Sequence, residues 1–388
     1  LGNDLREAED PGKGGDEDVW DLHGGFSGKN RGWFANDPMD SVLGIMSQQP
    51  DTATEFLDPG ADKKNDMLHY LVKDRDWELV DKNEFHGKAS VVVGTEDKDS
   101  RTGLGLVIEA ASTGQEPGAH YELGTHNPAQ ARVMYHTIDE LNGAQQAEQM
   151  PENLREPMAR ALRDYVPDLH EILGKNNNLY NTQEGAWQDD EGLTRMSVFK
   201  DDLVPVLRGI GDDPKALGLL YQAQQQYGQD QLSALPDNAG AATRVAIKDT
   251  AAALGAYDGV RADIIFDERF KKQTWANDFN TAATTVPGYA LQFTGAYTPA
   301  ADAANRLVGV FSYEVTKDRL AEATLEATKE NAEQFTAGQR EVDNMVAMWA
   351  QSNGHDQDST FTKDLIGTGQ TKHEEGRDGA LRRLRPDY

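Results

Sequence analysis

The 388-residue chain carries 66 Asp and Glu against 38 Lys and Arg, a formal charge of −28. A field of that sign repels nucleic-acid backbones and anionic lipid surfaces, and the clearest basic patch, Arg377 with Arg382, Arg383 and Arg385, is too small to offset it. Cysteine is absent, which excludes disulfides and thiolate metal sites; no run of 18 consecutive apolar residues is present, so no membrane-spanning helix is expected.

The length allows a substantial core and two domains. The acidity reads as solubility or a high-salt lineage. No signal peptide is visible, and the first residue is Leu1 rather than an initiator methionine, so a segment upstream is expected.

Residues 1–33 are rich in Gly, Asp and Glu and read as an extended arm that docks through Trp20, Phe26, Trp33 and Phe34. Asp37-Pro38 starts a helix as cap and first residue, with Val42, Ile45 and Met46 inward. Pro50 opens a second, with Thr52 and Glu55 spaced as a capping box. Asn65 or Asp66 caps a third, followed by Trp77. Ala89 to Val93 is β-branched, but one strand has no partner, so linker or a helix turn is expected there. A helix carrying Leu104, Val107, Ile108 and Ala111 ends near Gly114. Asn127-Pro128 starts another, with Ala131, Met134, Tyr135, Ile138 and Leu141 on one face. Residues 151–173 hold two helical stretches broken near Pro167.

The polar stretch 176–192 reads as the domain boundary. Beyond it come a helix with Val198, Leu203, Val206 and Leu207, then one started by Asp213-Pro214, then helices over 240–254 and 260–283. An aromatic loop over 286–299 separates these from helical sequence over 300–352, broken near Gly338. The tail from Gly354 reads as polar, with a last short helix around Leu381 and Leu384. The expected class is all-α: an arm over 1–33, a helical domain over 34–185, a second over 186–354 and a polar tail over 355–388.

Four blocks carry a resemblance. They are Asp37-Pro38 with Gln49 to Phe56 and Leu71 to Trp77; Asn127 to Arg132; Asp213 to Ala216 with Ala223-Gln224, Tyr227 and Leu232; and Leu254-Gly255 with Gly259 to Asp263. Together they resemble an actinobacterial helical family of unknown function associated with type VII secretion, whose members frequently carry a helical hairpin of the Trp-x-Gly kind upstream. The resemblance implies an all-α fold and a secreted or cell-envelope setting, with a cytoplasmic one as the alternative. It implies no catalytic residue.

The chemistry-bearing patterns are sparse. Phosphate-loop, G-x-S-x-G and H-E-x-x-H motifs are missing. His120, Glu122, His126 and His136 form the best metal candidate, since imidazoles and a carboxylate suit zinc if the loop folds onto the helix. His170-Glu171 and His373-Glu374-Glu375 read as exposed helix faces, because sequence neighbours diverge by about 100 degrees around a helix. Asp74-Arg75-Asp76 reads as helix-end charge beside His69. Asp189-Asp190-Glu191, Asp201-Asp202 and Asp212-Asp213 lie in turns, where a carboxyl lacks the burial that raises a catalytic acid. Trp275, Phe279, Tyr289, Phe293 and Tyr297 are the candidate partner-binding surface.

The reading that follows is a non-enzymatic protein acting through protein contacts, without a cofactor, in a secretion-associated or envelope setting. Its partner is a secretion component or a second copy of the chain. A hydrolase or toxin-like enzyme built from scattered carboxylates and histidines, and a subunit of a homo-oligomeric assembly, are the alternatives.

Overall fold

The computed structural model describes residues 1–21, 37–61, 64–86, 89–119, 125–142, 149–175, 180, 185–235, 240–266, 275, 278–279, 281–282 and 338–385, with backbone alone over 81–92. It is an all-α, multi-helix protein with short hairpins. Backbone contacts divide it into one unit of residues 1–164 with 185–196 and another of 165–184 with 197–388. The helix over 166–174, which precedes the polar stretch 176–192, therefore belongs to the second unit.

The first unit begins with α1 (Gly2–Glu9), so the start of the expected extended arm is helical. Helix α2 (Pro38–Met46) is capped by Asp37, whose carboxylate accepts from the Asp40 amide at 2.9 Å. Its buried stripe is Met39 and Leu43, one turn apart; Ile45, expected inward, is 72 % exposed. Helix α3 (Pro50–Leu57) starts at its proline, so Thr52 and Glu55 lie inside it and make no capping box; Thr54 instead bonds the carbonyls of Pro50 and Ala111. Asn65 caps α4 (Asp66–His69), and the chain continues as a π turn over Tyr70–Asp74.

The solitary strand has a partner. Strands β1 (Val80–His86) and β2 (Ala89–Thr95) form an antiparallel hairpin in which Val80 faces Thr95 and His86 faces Ala89. The partner, VDKNEFH, has few strand formers, so β-propensity alone left it invisible. Next come α5 (Thr102–Thr113), closed by Gly114 in the left-handed conformation, α6 (Pro128–Asn142) and α7 (Glu152–Asp164). Asn127 and Gln130 cap α6 reciprocally: the Asn127 side chain accepts from the Gln130 amide at 3.0 Å, and the Gln130 side chain accepts from the Asn127 amide at 2.8 Å. Buried Leu104, Val107, Ile108 and Ala111 make α5 the core of this unit, against α2, α3, α6 and α7. A second hairpin, β3 (Gly185–Gln188) and β4 (Thr194–Ser197), has its turn tied by Asp189 to the Glu191 and Leu193 amides and Arg195.

The second unit holds α8 (Val166–Gly174), α9 (Lys200–Ile210), α10 (Pro214–Ser233), α11 (Gly240–Phe266), α12 (338–352) and α13 (Thr360–Leu384). Two expectations fail here for one reason. Helix α11 runs unbroken across 255–259, and the supposed polar tail is the 25-residue α13. Gly255 and Gly259 do not break α11, because they are where α13 approaches it. A β-carbon at Gly255 would lie 2.0 Å from the His373 carbonyl oxygen, and one at Gly376 would lie 2.1 Å from that of Ala252. Glycines on both helices let the backbones meet, and Ala380, Leu381 and Leu384 are buried by the pairing.

Candidate functional site

Among the described residues, three buried charged networks each join separate elements. In the first unit, Arg75 donates to Glu9 at 2.8 and 3.0 Å and to both Asp37 oxygens at 2.8 Å. Glu9 also accepts from Tyr70 and Trp20, and Arg75 stacks on Trp77. Burial and then the Glu9 charge push the Tyr70 hydroxyl well above its ordinary value. Arg75 is thus an interior clamp on α1 and α2, not the helix-end charge expected from the Asp-Arg-Asp run. Trp20 bonds to Glu9 within the expected arm; Phe26, Trp33 and Phe34 lie outside the described residues.

In the second unit, Asp258 of α11 meets His373 Nε2 at 2.7 Å and Arg261 at 2.6 Å. His373 is fully buried, and a helix-face rule applied to sequence neighbours could not anticipate a partner 115 residues away. Burial works to raise the Asp258 carboxyl, but Arg261, His373 and Arg377 outweigh it and hold it below the usual range. Glu341 of α12 accepts from Tyr221 and Gln225, and Arg261 lies 4.1 Å over the Phe279 ring. The third cluster is Arg208 with Asp212 and Asp263, each at 2.6 Å, with Arg385 closing on Asp263. His170 is buried too, not exposed; its Nδ1 meets the Gln224 amide at 2.7 Å, and burial pulls its pKa down to about 4.

Of the partner-binding candidates, Trp275 and Phe279 are buried and stack on one another at 5.4 Å, and Trp275 donates to the Gly211 carbonyl. Tyr289, Phe293 and Tyr297 lie outside the described residues, as do His120 and Glu122 of the metal candidate. His126 is committed to Asp164 at 2.9 Å; His136 packs against Tyr135, and burial lowers its pKa. Among the described residues, no group of three or more His, Asp or Glu side chains could hold a metal ion, and no helix is long and apolar enough to cross a membrane.

One concavity in the second unit is open to solvent and charged. It has a volume of about 290 Å³ and lies among α8, α9, α11 and α13. Small residues form much of its wall: Gly174, Ala252, Ala256, Gly376, Gly379 and Ala380. Four cations line it, Lys200, Lys248, Lys372 and Arg383, against two carboxylates, Asp249 and Glu375. Lys200 donates to the Leu173 carbonyl near the end of α8 at 3.0 Å, a helix terminus that favours a cation. Burial, then the Arg383 charge, pull its ammonium down to about 8. Arg383 turns its guanidinium to Asp201 at 2.6 Å and to the Gly379 carbonyl at 2.7 Å. Lys372 pairs with Glu375, and burial raises Asp249 to about 6 against the opposing charge of Lys175. Nothing in the sequence gathers these groups. The α11–α13 pairing brings most of them together, and its local traces are glycines, 255 and 259 on α11 and 376 on α13.

A second feature lies elsewhere in the same unit. Trp349, Val346, Leu365, Ile247 and Leu232 form a buried apolar cluster flanked by partly buried Leu235, Ala246, Met345, Phe361 and Ile366. Val245 and Met348, on two of the contributing helices, are 52 % and 41 % exposed.

Comparison with protein-family models, with curated proteins and with solved structures gives no match for this chain.

Proposed function

We propose that the chain is a helical binding protein that acts through contacts with a protein partner rather than by catalysis. The observation that carries this reading is the half-covered apolar cluster around Trp349. Its flank of Met345, Phe361, Ile366, Leu235 and Ala246 keeps partial solvent exposure, and Met348 and Val245 are exposed on two of the contributing helices. Clustered apolar surface on a strongly acidic protein marks an interaction site, and methionines suit a surface that adapts to its partner. The buried ionic clusters support the same reading, since each is sealed inside its unit as a clamp between elements. A secretion-associated or envelope setting is part of the proposal and rests on the sequence resemblance alone.

The test is a photo-crosslinking side chain placed at Met348, compared with one at Lys363 on α13. The proposal expects one discrete adduct from position 348, lost when Val245 is changed to Asp, and none from 363. Equal or diffuse labelling from both positions refutes it. Sedimentation of the wild type and Val245→Asp over a range of concentrations identifies a second copy as the partner if only the wild type self-associates.

A further inference from the structure

The concavity among α8, α9, α11 and α13 has no role in the protein-contact reading, and its charge runs against the rest of the molecule. The chain as a whole is acidic by 28 charges, yet this lining holds four cations and two carboxylates. At physiological ionic strength exposed charges more than about 8 Å apart are largely screened, so the local excess decides what enters.

The donor chemistry narrows the ligand. A planar carboxylate is best matched by an arginine fork, but Arg383 already spends its guanidinium on Asp201 and Gly379. The remaining cations are lysines on three different helices, α9, α11 and α13. Lysine ammoniums are compact point charges with rotatable donors, suited to a tetrahedral oxyanion approached from several sides. Lys248 has no hydrogen-bond or ion-pair partner among the described residues. Cations outnumber carboxylates in the lining even with Arg383 paired to Asp201, which favours an anion, and the small-residue wall leaves about 290 Å³, the lower end of the size range of small-molecule sites.

We propose that this concavity binds the phosphate group of a small soluble molecule, held by Lys200, Lys248 and Lys372. Gly376 and Gly379 add only backbone to the α13 wall between Lys372, Glu375, Ala380 and Arg383. Glu375 screens Lys372 when the site is empty and yields it to the ligand. Burial first and the Arg383 charge second lower the Lys200 pKa, and a bound anion relieves the Arg383 repulsion.

The experiment is calorimetric titration of the full chain, at constant ionic strength, with inorganic phosphate, glycerol 3-phosphate and acetate, and sedimentation with vesicles containing phosphatidic acid. The proposal expects saturable binding of both soluble phosphates and none of acetate. Lys248→Gln weakens binding by about tenfold, the size of one lost charged hydrogen bond. Lys363→Gln, the same charge change at an exposed position on α13 outside the lining, leaves it within about twofold, since distant exposed charges are screened. Glu375→Gln tightens binding, a gain that a misfolded variant cannot give. The proposal is overturned if neither soluble phosphate saturates by about 10 mM, if acetate binds as tightly, if only the vesicles bind, or if Lys248→Gln and Lys363→Gln lose affinity equally.

Discussion

Replacing Gly376 by Ala adds one methyl group where α13 meets α11, and the structure sets what that methyl must displace. Its β-carbon would lie 2.1 Å from the Ala252 carbonyl oxygen, 2.9 Å from the carbonyl carbon and 3.0 Å from the α-carbon. Ordinary contact begins near 3.4 Å, so the helices must part by more than an ångström, and all three obstacles are backbone that cannot rotate away. Overpacking of this kind costs about 1–3 kcal/mol, and rigid backbone on both sides puts this site at the upper end. Alanine returns about 1 kcal/mol of helix preference over glycine, leaving a net loss of about 2 kcal/mol. Gly367 on the same helix is the control, because nothing lies within 4 Å of its β-carbon position. Gly367→Ala therefore stabilises by about 0.5–1 kcal/mol, from helix propensity alone. Urea unfolding followed by tryptophan fluorescence and circular dichroism measures both. Gly255→Ala combined with Gly376→Ala loses less than the sum of the singles, since one parting of the helices relieves both clashes. If Gly376→Ala is as stable as Gly367→Ala, the close backbone approach is wrong.

Arg75→Met strands the Glu9 and Asp37 carboxylates in the interior of the first unit and costs about 3–5 kcal/mol, read as a lower urea midpoint with faster proteolysis within residues 10–21. Asp40 is held up at about 6 by burial, against the amides of Gly103 and Leu104 that donate to it. The folded state therefore keeps this proton where the unfolded chain, with a pKa near 3.8, has lost it, so stability falls as pH rises through that window. Asp40→Asn removes this fall, seen as the difference between two urea-midpoint profiles over pH 3–8. His170 has the opposite sign: buried neutral with a pKa of about 4 against 6.5 unfolded, it costs stability as pH falls between those values, and His170→Gln flattens that limb. Asn127→Ala removes both side-chain bonds to the first turn of α6 and costs about 1 kcal/mol, with faster hydrogen exchange at the Ala129 and Gln130 amides.

Helix starts were legible because their chemistry is local. Asp37, Asn127 and Asp213 all cap through their own side chains within three residues, and proline follows each. The stripes on α5 and α9 were legible for the same reason, since 3.6-residue spacing needs no partner. What escaped depended on distant segments. The hairpin strand β1 is visible only beside β2. Gly255 and Gly259 look like helix breaks until α13 is laid against them, and α13 looks like a polar tail because its glycines and buried charges lower its apolar signal. His170 and His373 were read as exposed faces, and Arg75 as helix-end charge, because their partners, Gln224, Asp258 and Glu9, lie 54, 115 and 66 residues away. The lysine-lined concavity belongs with these, since its lining runs from Leu173 to Arg383.

The pairing of α11 with α13 also sets a timetable. Asp258 leaves the ribosome 115 residues ahead of His373, roughly 6–23 s at ordinary elongation rates. Through that interval α11 exposes a glycine seam and a carboxylate with no imidazole to receive it. The first unit has all its members except the β3–β4 hairpin by residue 164. The two halves therefore mature in order, and the second passes through a nascent state whose open face is offered to whatever else is at hand before its own helix arrives.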